Sequence, residues 1–289
     1  RAQTIAGNAT PAVPDAPQTP NTPEVPAPTV KTGGGVSEQG WLQVKGTQLC
    51  DEKGAAVELH GMSSHGIQWF PQYVSRQAIA NTAAYGANLF RVAMYTGEGG
   101  YLSNPVQMKK TAYAAMDAAI ANDMYVIIDW HILSDGDPMA HLSEAEAFFR
   151  EVSARYADSP AVLYEICNEP NGGISWKNNV KPYAERIVKA IRANAPDSII
   201  LIGSGTWSLQ DAAADSVAGT NLMYTCHFYA GTHGEWLRQR ILDAQSRGLA
   251  VFISEWGVSR ADGSGGVFTS ESETWLNFLH RNGISWANW

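Results

Sequence analysis

Two glutamates in this sequence stand where they could break a covalent bond together. Glu169 ends the β-branched and aromatic stretch Val162–Glu169, within Asn168-Glu169-Pro170, and Glu255 follows Phe252-Ile253-Ser254. One carboxyl that gives up a proton and one carboxylate that meets an electron-poor carbon are what acetal cleavage requires. The departing oxygen must be protonated while the carbon left behind gains positive charge. Other polar side chains fall in or at the ends of similar runs: His65, Arg91, His131 in Asp129-Trp130-His131, Asn168, His227 and Tyr229 in His227-Phe228-Tyr229, and Trp289. Taken singly, each has an ordinary reading, since a lone histidine at a strand end is most often a hydrogen-bonded scaffold residue. Together they concentrate acid, base and cation in a way that packing alone does not require.

That concentration has meaning only if one fold brings the run ends together. Eight such runs occur, at Val57–Ser64, Asn88–Tyr95, Tyr125–Ile132, Val162–Glu169, Ser198–Ser204, Leu222–Tyr229, Ala250–Trp256 and Ile284–Trp289. The intervals mostly read as helices. Gln107–Asp123 and Val180–Ala195 carry apolar residues at helical spacing, and Ser143-x-x-Glu146 and Ser270-x-x-Glu273 have the form of capping boxes. Pro196 and Gly283 fall where helices should stop. Eight strands alternating with helices over about 250 residues is the arithmetic of an α/β fold of the (β/α)8 barrel kind, whose functional groups collect at the C-terminal strand ends. A doubly wound open sheet would want a glycine-rich phosphate loop after its first strand, and none is present. Ahead of the barrel, Trp41–Glu58 reads as a β-hairpin turning near Asp51–Gly54 and plugging the barrel floor. The sequence ends with the eighth strand candidate, so an eighth helix is expected to be missing from this chain.

Composition narrows the function further. The 289 residues are 45% hydrophobic and 17% charged, with 10 Trp, 11 Tyr and 8 Phe, enough apolar material for a sizeable core. A net charge of −8 argues against nucleic acid as a partner, and no apolar run reaches the roughly 20 residues a membrane helix needs. Cys50, Cys167 and Cys226 show no CxxC spacing; no metal or other cofactor is expected, and Cys167 reads as a small buried hydrophobe. Residues 1–38 differ in kind. Seven prolines fall between Pro11 and Pro28, no aromatic residue precedes Trp41, and Gly33-Gly34-Gly35 closes the stretch. We read 1–38 as an extended linker to another module and 39–289 as a single domain. Asn8-Ala9-Thr10 matches a glycosylation acceptor, a pattern short enough to arise by chance.

Seven segments in register carry a more specific signal. Leu163-Tyr164-Glu165-Ile166-Cys167-Asn168-Glu169-Pro170 closely resembles the acid/base motif of glycoside hydrolase family 5, and Phe252-Ile253-Ser254-Glu255-Trp256-Gly257 resembles its nucleophile motif. His60-Gly61-Met62-Ser63-Ser64-His65-Gly66, Phe90-Arg91-Val92, Asp129-Trp130-His131, His227-Phe228-Tyr229 and Ser285-Trp286-Ala287-Asn288-Trp289 also match in order, so the resemblance spans Trp41 to Trp289. It is to the bacterial endoglucanase branch. It implies a secreted, monomeric, cofactor-free endo-1,4-β-glucanase acting on cellulose and related β-glucans with retention. The arm would be tethered to a module such as a carbohydrate-binding module.

Within that resemblance, Glu255 would be the nucleophile and Glu169 the acid/base. Arg91 would stabilise ionised Glu255, whose charge would hold the proton on Glu169. Asn168 would hydrogen-bond the sugar 2-hydroxyl, Tyr229 would lie beside Glu255, His131 would contact the reacting sugar and His227 would orient Glu169. His65 would hold a neighbouring glucose, and Trp69, Trp207 and Trp289 would stack on sugar faces. Trp41, Trp236, Trp275 and Trp286 are expected in core or hairpin packing, whereas Trp130 and Trp256 neighbour catalytic positions or serve as scaffold. Family members continue past the matching tryptophan into a binding loop and a last helix, so this chain is expected to be a fragment. Mannan, xyloglucan or mixed-linkage glucan stay open as substrates, as does a barrel that binds glucan without turnover.

Overall fold

β-Prone runs alternating with amphipathic helices can bury both kinds of apolar surface by rolling a parallel sheet shut inside a ring of helices. The computed structural model describes residues 31–289, with Lys31, Thr32 and residues 205–207 described by their backbone alone. The linker reading over 1–30 lies outside the described residues. The described chain opens with β1 (Lys31–Thr32), α1 (Val36–Gln39), β2 (Gln43–Lys45), β3 (Gln48–Cys50) and β4 (Val57–Glu58). Strands and helices then alternate: β5 (His60–Ser63), α2 (Arg76–Ala84), β6 (Leu89–Tyr95), α3 (Pro105–Ala121), β7 (Tyr125–His131) and α4 (Leu142–Arg155). The second half follows with β8 (Val162–Glu165), α5 (Lys181–Arg192), β9 (Ile200–Gly203), α6 (Gly205–Ala214), β10 (Leu222–Tyr229), α7 (Glu235–Ser246), β11 (Val251–Gly257), α8 (Thr269–Arg281) and β12 (Trp286–Asn288). Strands β5 to β12 form a closed parallel barrel in sequence order, with β12 pairing back onto β5. This is the expected (β/α)8 architecture, with a helix after each of the first seven barrel strands and the chain ending at Trp289.

Side-chain alternation sorts the strands into two apolar layers. Outward residues such as Val92, Met94, Ile128, Trp130, Tyr164, Ile202 and Phe228 pack beneath the helices. Inward residues at the N-terminal strand ends, among them Leu89, Tyr125, Ile127, Leu163, Leu201 and Phe252, meet Leu42, Leu49, Val57 and Leu59 in a second cluster. The N-terminal segment therefore does close the barrel floor. Above that floor the inward positions turn polar, and Arg91, Asp129 and Glu165 are all fully buried.

Four sequence expectations change. Residues 31–38 are not linker: β1 pairs in parallel with β4, and Ser37 on α1 bonds through its N–H and hydroxyl to the Asp123 carboxylate at 2.7 Å each. The hairpin turns between β2 and β3, at Gly46-Thr47. The Asp51–Gly54 stretch makes a separate turn, in which Asp51 Oδ1 accepts from the N–H groups of Lys53 and Ala55. Neither capping box caps, because α4 and α8 begin before Ser143 and Ser270, with His141 and Phe268 at the cap positions. A 3-10 turn over Pro138–His141 runs straight into α4 and fixes its entry instead. Trp236 is half-exposed on α7 rather than core, whereas Trp275 is fully buried.

Candidate active site

Arg91 points inward from β6 into the middle of the barrel, and the site is assembled around it. Its Nε donates to Glu165 Oε2 at 2.8 Å, and its Nη2 donates to Glu165 Oε1 at 3.0 Å and Asn168 Oδ1 at 2.8 Å. Nη1 donates to Glu255 Oε2 at 3.0 Å and to Ser63 Oγ at 3.3 Å, and Asp129 Oδ2 lies 3.1 Å from Nη2. Three carboxylates thus converge on one guanidinium inside a dry cylinder, where ionising all three is costly. Asp129 is the one that yields: burial and the neighbouring acids push its carboxyl well up, despite Arg91, and its Oδ1 has no hydrogen-bond partner. Burial would also raise Glu165, but Arg91 outweighs it and brings that carboxyl down to about 2.

The Asn168 amide is oriented by its partners. Its Oδ1 accepts from Arg91, so its Nδ2 donates to the Ile132 carbonyl at 3.0 Å and to His131 Nε2 at 3.1 Å. His131 therefore keeps its hydrogen on Nδ1, directed at Asp129 Oδ2 2.5 Å away. Burial, with Arg91 nearby, drives the His131 pKa down to about 3, so it stays neutral. The backbone carrying Asn168 and Glu169 presses against β9. A Cβ at Gly203 would collide with the Cys167 carbonyl, so glycine is required there.

Strand β11 departs from regular pairing where the second glutamate sits. Between Thr225 and His227 strand β10 advances two residues while β11 advances three, Phe252 to Glu255. On its other side β11 advances from Ile253 to Trp256 against Trp286 to Asn288 of β12. The extra residue is a β-bulge, and it turns both Ser254 and Glu255 into the barrel. Glu255 Oε1 accepts from the Tyr229 hydroxyl at 2.6 Å while its Oε2 meets Arg91. Its side chain is 7% exposed, against 34% for Glu169.

Glu169 Oε1 lies 2.8 Å from His227 Nδ1, and these two groups hold one proton between them. Burial opposes charge on both, yet the attraction wins. Glu255, Glu165 and Glu169 lift His227 to about 10, and the hydrogen bond and charge of His227 lower Glu169 to about 2. This corrects the expectation that the Glu255 charge keeps the proton on Glu169. In this structure that charge favours the proton on His227, which stands between the two glutamates, its Nδ1 3.9 Å from Glu255 Oε2.

A cavity of about 440 Å³ opens over these groups, within the range of ligand pockets. His65, His131, Asn168, Glu169, His227, Tyr229, Glu255 and Trp289 all line it. Arg91 lies beneath it. Trp69 stands beside it, 46% exposed, with its ring 5.0 Å from that of Tyr95 and 5.7 Å from that of His65. Trp207 is on α6, and its side chain is outside the described residues. Trp130 is buried scaffold, stacked on Phe148. Sequence reading missed Tyr95 and His233 in the lining and the supporting roles of Asp129, Glu165 and Ser254. An acid at an inward strand position opposite an arginine was the available signal. Glu169, His227 and Glu255 bring one donor atom each within 4.8 Å of one another. Their mutual hydrogen bond and the Arg91 cation account for that grouping, and Arg91 opposes a metal ion there.

A closed parallel barrel with two glutamates facing across its C-terminal mouth has the architecture of a glycoside hydrolase. The model of the cellulase family, glycosyl hydrolase family 5, matches residues 50–289, and the chain belongs to this family. It is 49% identical over 257 residues to Endoglucanase 5 of Pectobacterium carotovorum subsp. carotovorum, covering 88% of this chain and 51% of that protein. It is likewise 49% identical over 253 residues to an endoglucanase of Clostridium saccharobutylicum, covering 86% and 56%. The chain thus spans about half the length of these known relatives. Among solved structures, the catalytic domain of a Thermobifida fusca endoglucanase aligns with a TM-score of 0.84 at 38% identity, covering 88% of this chain and 86% of that one. A glutamate-to-glutamine variant of that domain was solved in complex with cellotetraose.

Proposed function

We propose that this chain is a retaining endo-1,4-β-glucanase, with Glu255 as nucleophile and Glu169 as acid/base. The observation that carries this reading is a close approach: one carboxylate oxygen of Glu169 lies within 4.8 Å of one of Glu255, which favours the nearer, retaining spacing. Retaining pairs stand about 5–5.5 Å apart, whereas inverting pairs need about 6.5–9.5 Å to admit a water between them. Glu255, whose two oxygens accept from Arg91 and Tyr229, attacks the anomeric carbon. The departing oxygen takes the proton held by the Glu169–His227 pair, delivered through the Glu169 carboxyl. Glu169, now an anion, deprotonates a water that hydrolyses the glycosyl ester and frees Glu255. Esterification removes the Glu255 charge that favours a protonated His227, so the proton equilibrium of the pair resets between the two half-reactions.

His65, Trp69 and Trp289 give the cleft flat rings suited to pyranose faces, and Asn168, which lines the cavity, would meet a sugar hydroxyl only through the second lone pair of its Oδ1. A β-1,4-glucan is the substrate class, in keeping with the names of the relatives and the cellotetraose complex. Polymeric glucan does not cross membranes, so the protein acts outside the cell as a monomer, with its Pro/Thr arm leading to a substrate-binding module.

Reducing-sugar release on carboxymethylcellulose, barley glucan and mannan tests the substrate; cleavage of mannan alone defeats the cellulase reading. Glu169→Ala and Glu255→Ala should each lower turnover by about 10²–10⁴-fold or more with the fold retained. Azide should restore the Glu255 variant and give a glycosyl azide of inverted configuration. Retained activity in that variant, with no azide product, removes Glu255 from the role.

A further inference from the structure

One flank of the barrel is left open where β5 and β12 meet. His60 and Met62 on β5, Trp286 on β12, and Thr82 and Tyr85 at the end of α2 line a groove of about 480 Å³. Its surface is apolar yet meets water, with Met62 41% exposed and Tyr85 95%. His60 and Trp286 face each other in the ladder and stack with ring centres 4.6 Å apart, which gives the groove a flat aromatic wall. None of these side chains lines the cavity over the two glutamates. Contiguous exposed apolar surface of this kind marks a place of interaction.

Residues 1–30 carry a pattern that matches such a groove. Pro11, Pro14, Pro17, Pro20, Pro23 and Pro26 stand at every third position. A polyproline II helix has three residues per turn, so these prolines would share one edge, about 46 Å long at roughly 3.1 Å per residue. The other two edges are sorted as well. Asp15, Gln18, Asn21 and Glu24 fall on one, and Val13, Ala16, Thr19, Thr22 and Val25 on the other. A spacer that serves only for length has no need to keep its charges on a single edge.

The point of attachment is at the foot of the groove. Strand β1 pairs with β4 so that Lys31 lies opposite Val57, three residues before His60, or about 10 Å along the strand. Just past β1, the Gly34 carbonyl accepts from Asn88 Nδ2, and Asn88 Oδ1 accepts from the His60 N–H. A segment tethered this closely meets the groove at an effective concentration on the order of millimolar.

We propose that the arm docks on its own barrel, with Pro20, Pro23 and Pro26 seated against His60, Met62, Tyr85 and Trp286 and the Asp15–Glu24 edge in water. Proline rings pack on aromatic faces with little conformational entropy left to lose. The carbonyls of a polyproline II backbone have no internal partners, and the Trp286 indole N–H and the Tyr85 hydroxyl are donors at the groove. An arm held there climbs from the floor, where Val57 packs, toward the mouth. On the tether reading of the arm, that brings a substrate-binding module to the end of the barrel that meets glucan. The docking itself is independent of the catalytic reading.

Met62 reports occupancy, because its thioether lies in the groove and oxidises where solvent reaches it. Hydrogen peroxide should convert Met62 to the sulfoxide at least about threefold more slowly in the full chain than in a variant carrying Pro20→Ser, Pro23→Ser and Pro26→Ser, as read by peptide mass. A synthetic peptide of residues 11–30 at millimolar concentration should slow the variant again. From the other side, Tyr85→Ser should speed cleavage after Glu24 by a glutamate-specific protease by about the same factor. Equal and fast oxidation of Met62 in both chains, with cleavage after Glu24 unchanged by Tyr85→Ser, overturns the proposal. Oxidation in both chains as slow as at the fully buried Met94 overturns it too, and assigns the groove to another occupant, a second copy if the rate rises on dilution.

Discussion

Arg91 directs its guanidinium at Glu165, Glu255, Asn168 and Ser63, with Asp129 alongside, so one side chain sets the ionisation of most of the site. That has a measurable consequence at His227. Its folded-state pKa of about 10 lies above the ordinary 6.5, so its contribution to stability is complete below pH 6.5 and disappears as pH rises to 10. The stability difference between wild type and His227→Gln should therefore shrink over that interval, by an amount on the order of a few kcal/mol. Urea unfolding at several pH values measures it, and a difference that stays flat from pH 6.5 to 10 contradicts the raised pKa. Glu169 behaves oppositely: with a pKa lowered to about 2, its contribution is present above pH 4.5 and lost on acidification. Glu169 and Glu255 were legible in the sequence because an acid closing an apolar run at a strand end is unusual. Asp129 and Glu165 were not, because a buried acid inside a strand looks the same in sequence as a solvent-facing residue of an alternating one. Only the arginine opposite distinguishes them.

Among the elements, strand positions were readable wherever β-branched runs stood between helical periods, and β6, β7 and β10 match their runs to within a residue. What escaped was local geometry. Period two through Phe252, Ser254 and Trp256 points Glu255 outward, and nothing in the residue types marks the bulge that reverses this. The capping boxes failed for a related reason, since α4 and α8 take their entry angle from preceding backbone rather than from a serine side chain. Helix α8 is anchored instead by Trp275, whose ring stacks on Phe228 of β10 at 3.9 Å and lies under the Arg238 guanidinium of α7. Trp275→Ala should cost about 3–5 kcal/mol in denaturant unfolding, since no neighbour can fill so large a buried volume. A loss under 1 kcal/mol would mean that α8 is held by other contacts.

Across the whole molecule the two ends of the barrel divide the labour. The floor is an apolar cluster closed by the N-terminal hairpin, and the mouth carries the charge. Leu49→Ala, in the floor, should therefore lower stability by about 2–5 kcal/mol while kcat/KM stays at the wild-type level below the melting range. A fall in kcat/KM of tenfold or more at a temperature where the variant is folded would show that floor packing reaches the mouth.

The barrel's closure also bears on how native protein is recognised. Glu255 on β11 meets Arg91 on β6 across the interior, and β11 joins β5 through β12, whose end is tied by the Trp289 N–H to the Trp256 carbonyl at 2.7 Å. Any open arc of strands can regain helix and bury its tryptophans, so circular dichroism and fluorescence are satisfied by an incomplete ring. The proposed hydrolysis is not, and it would therefore count only those molecules in which the last seam has sealed.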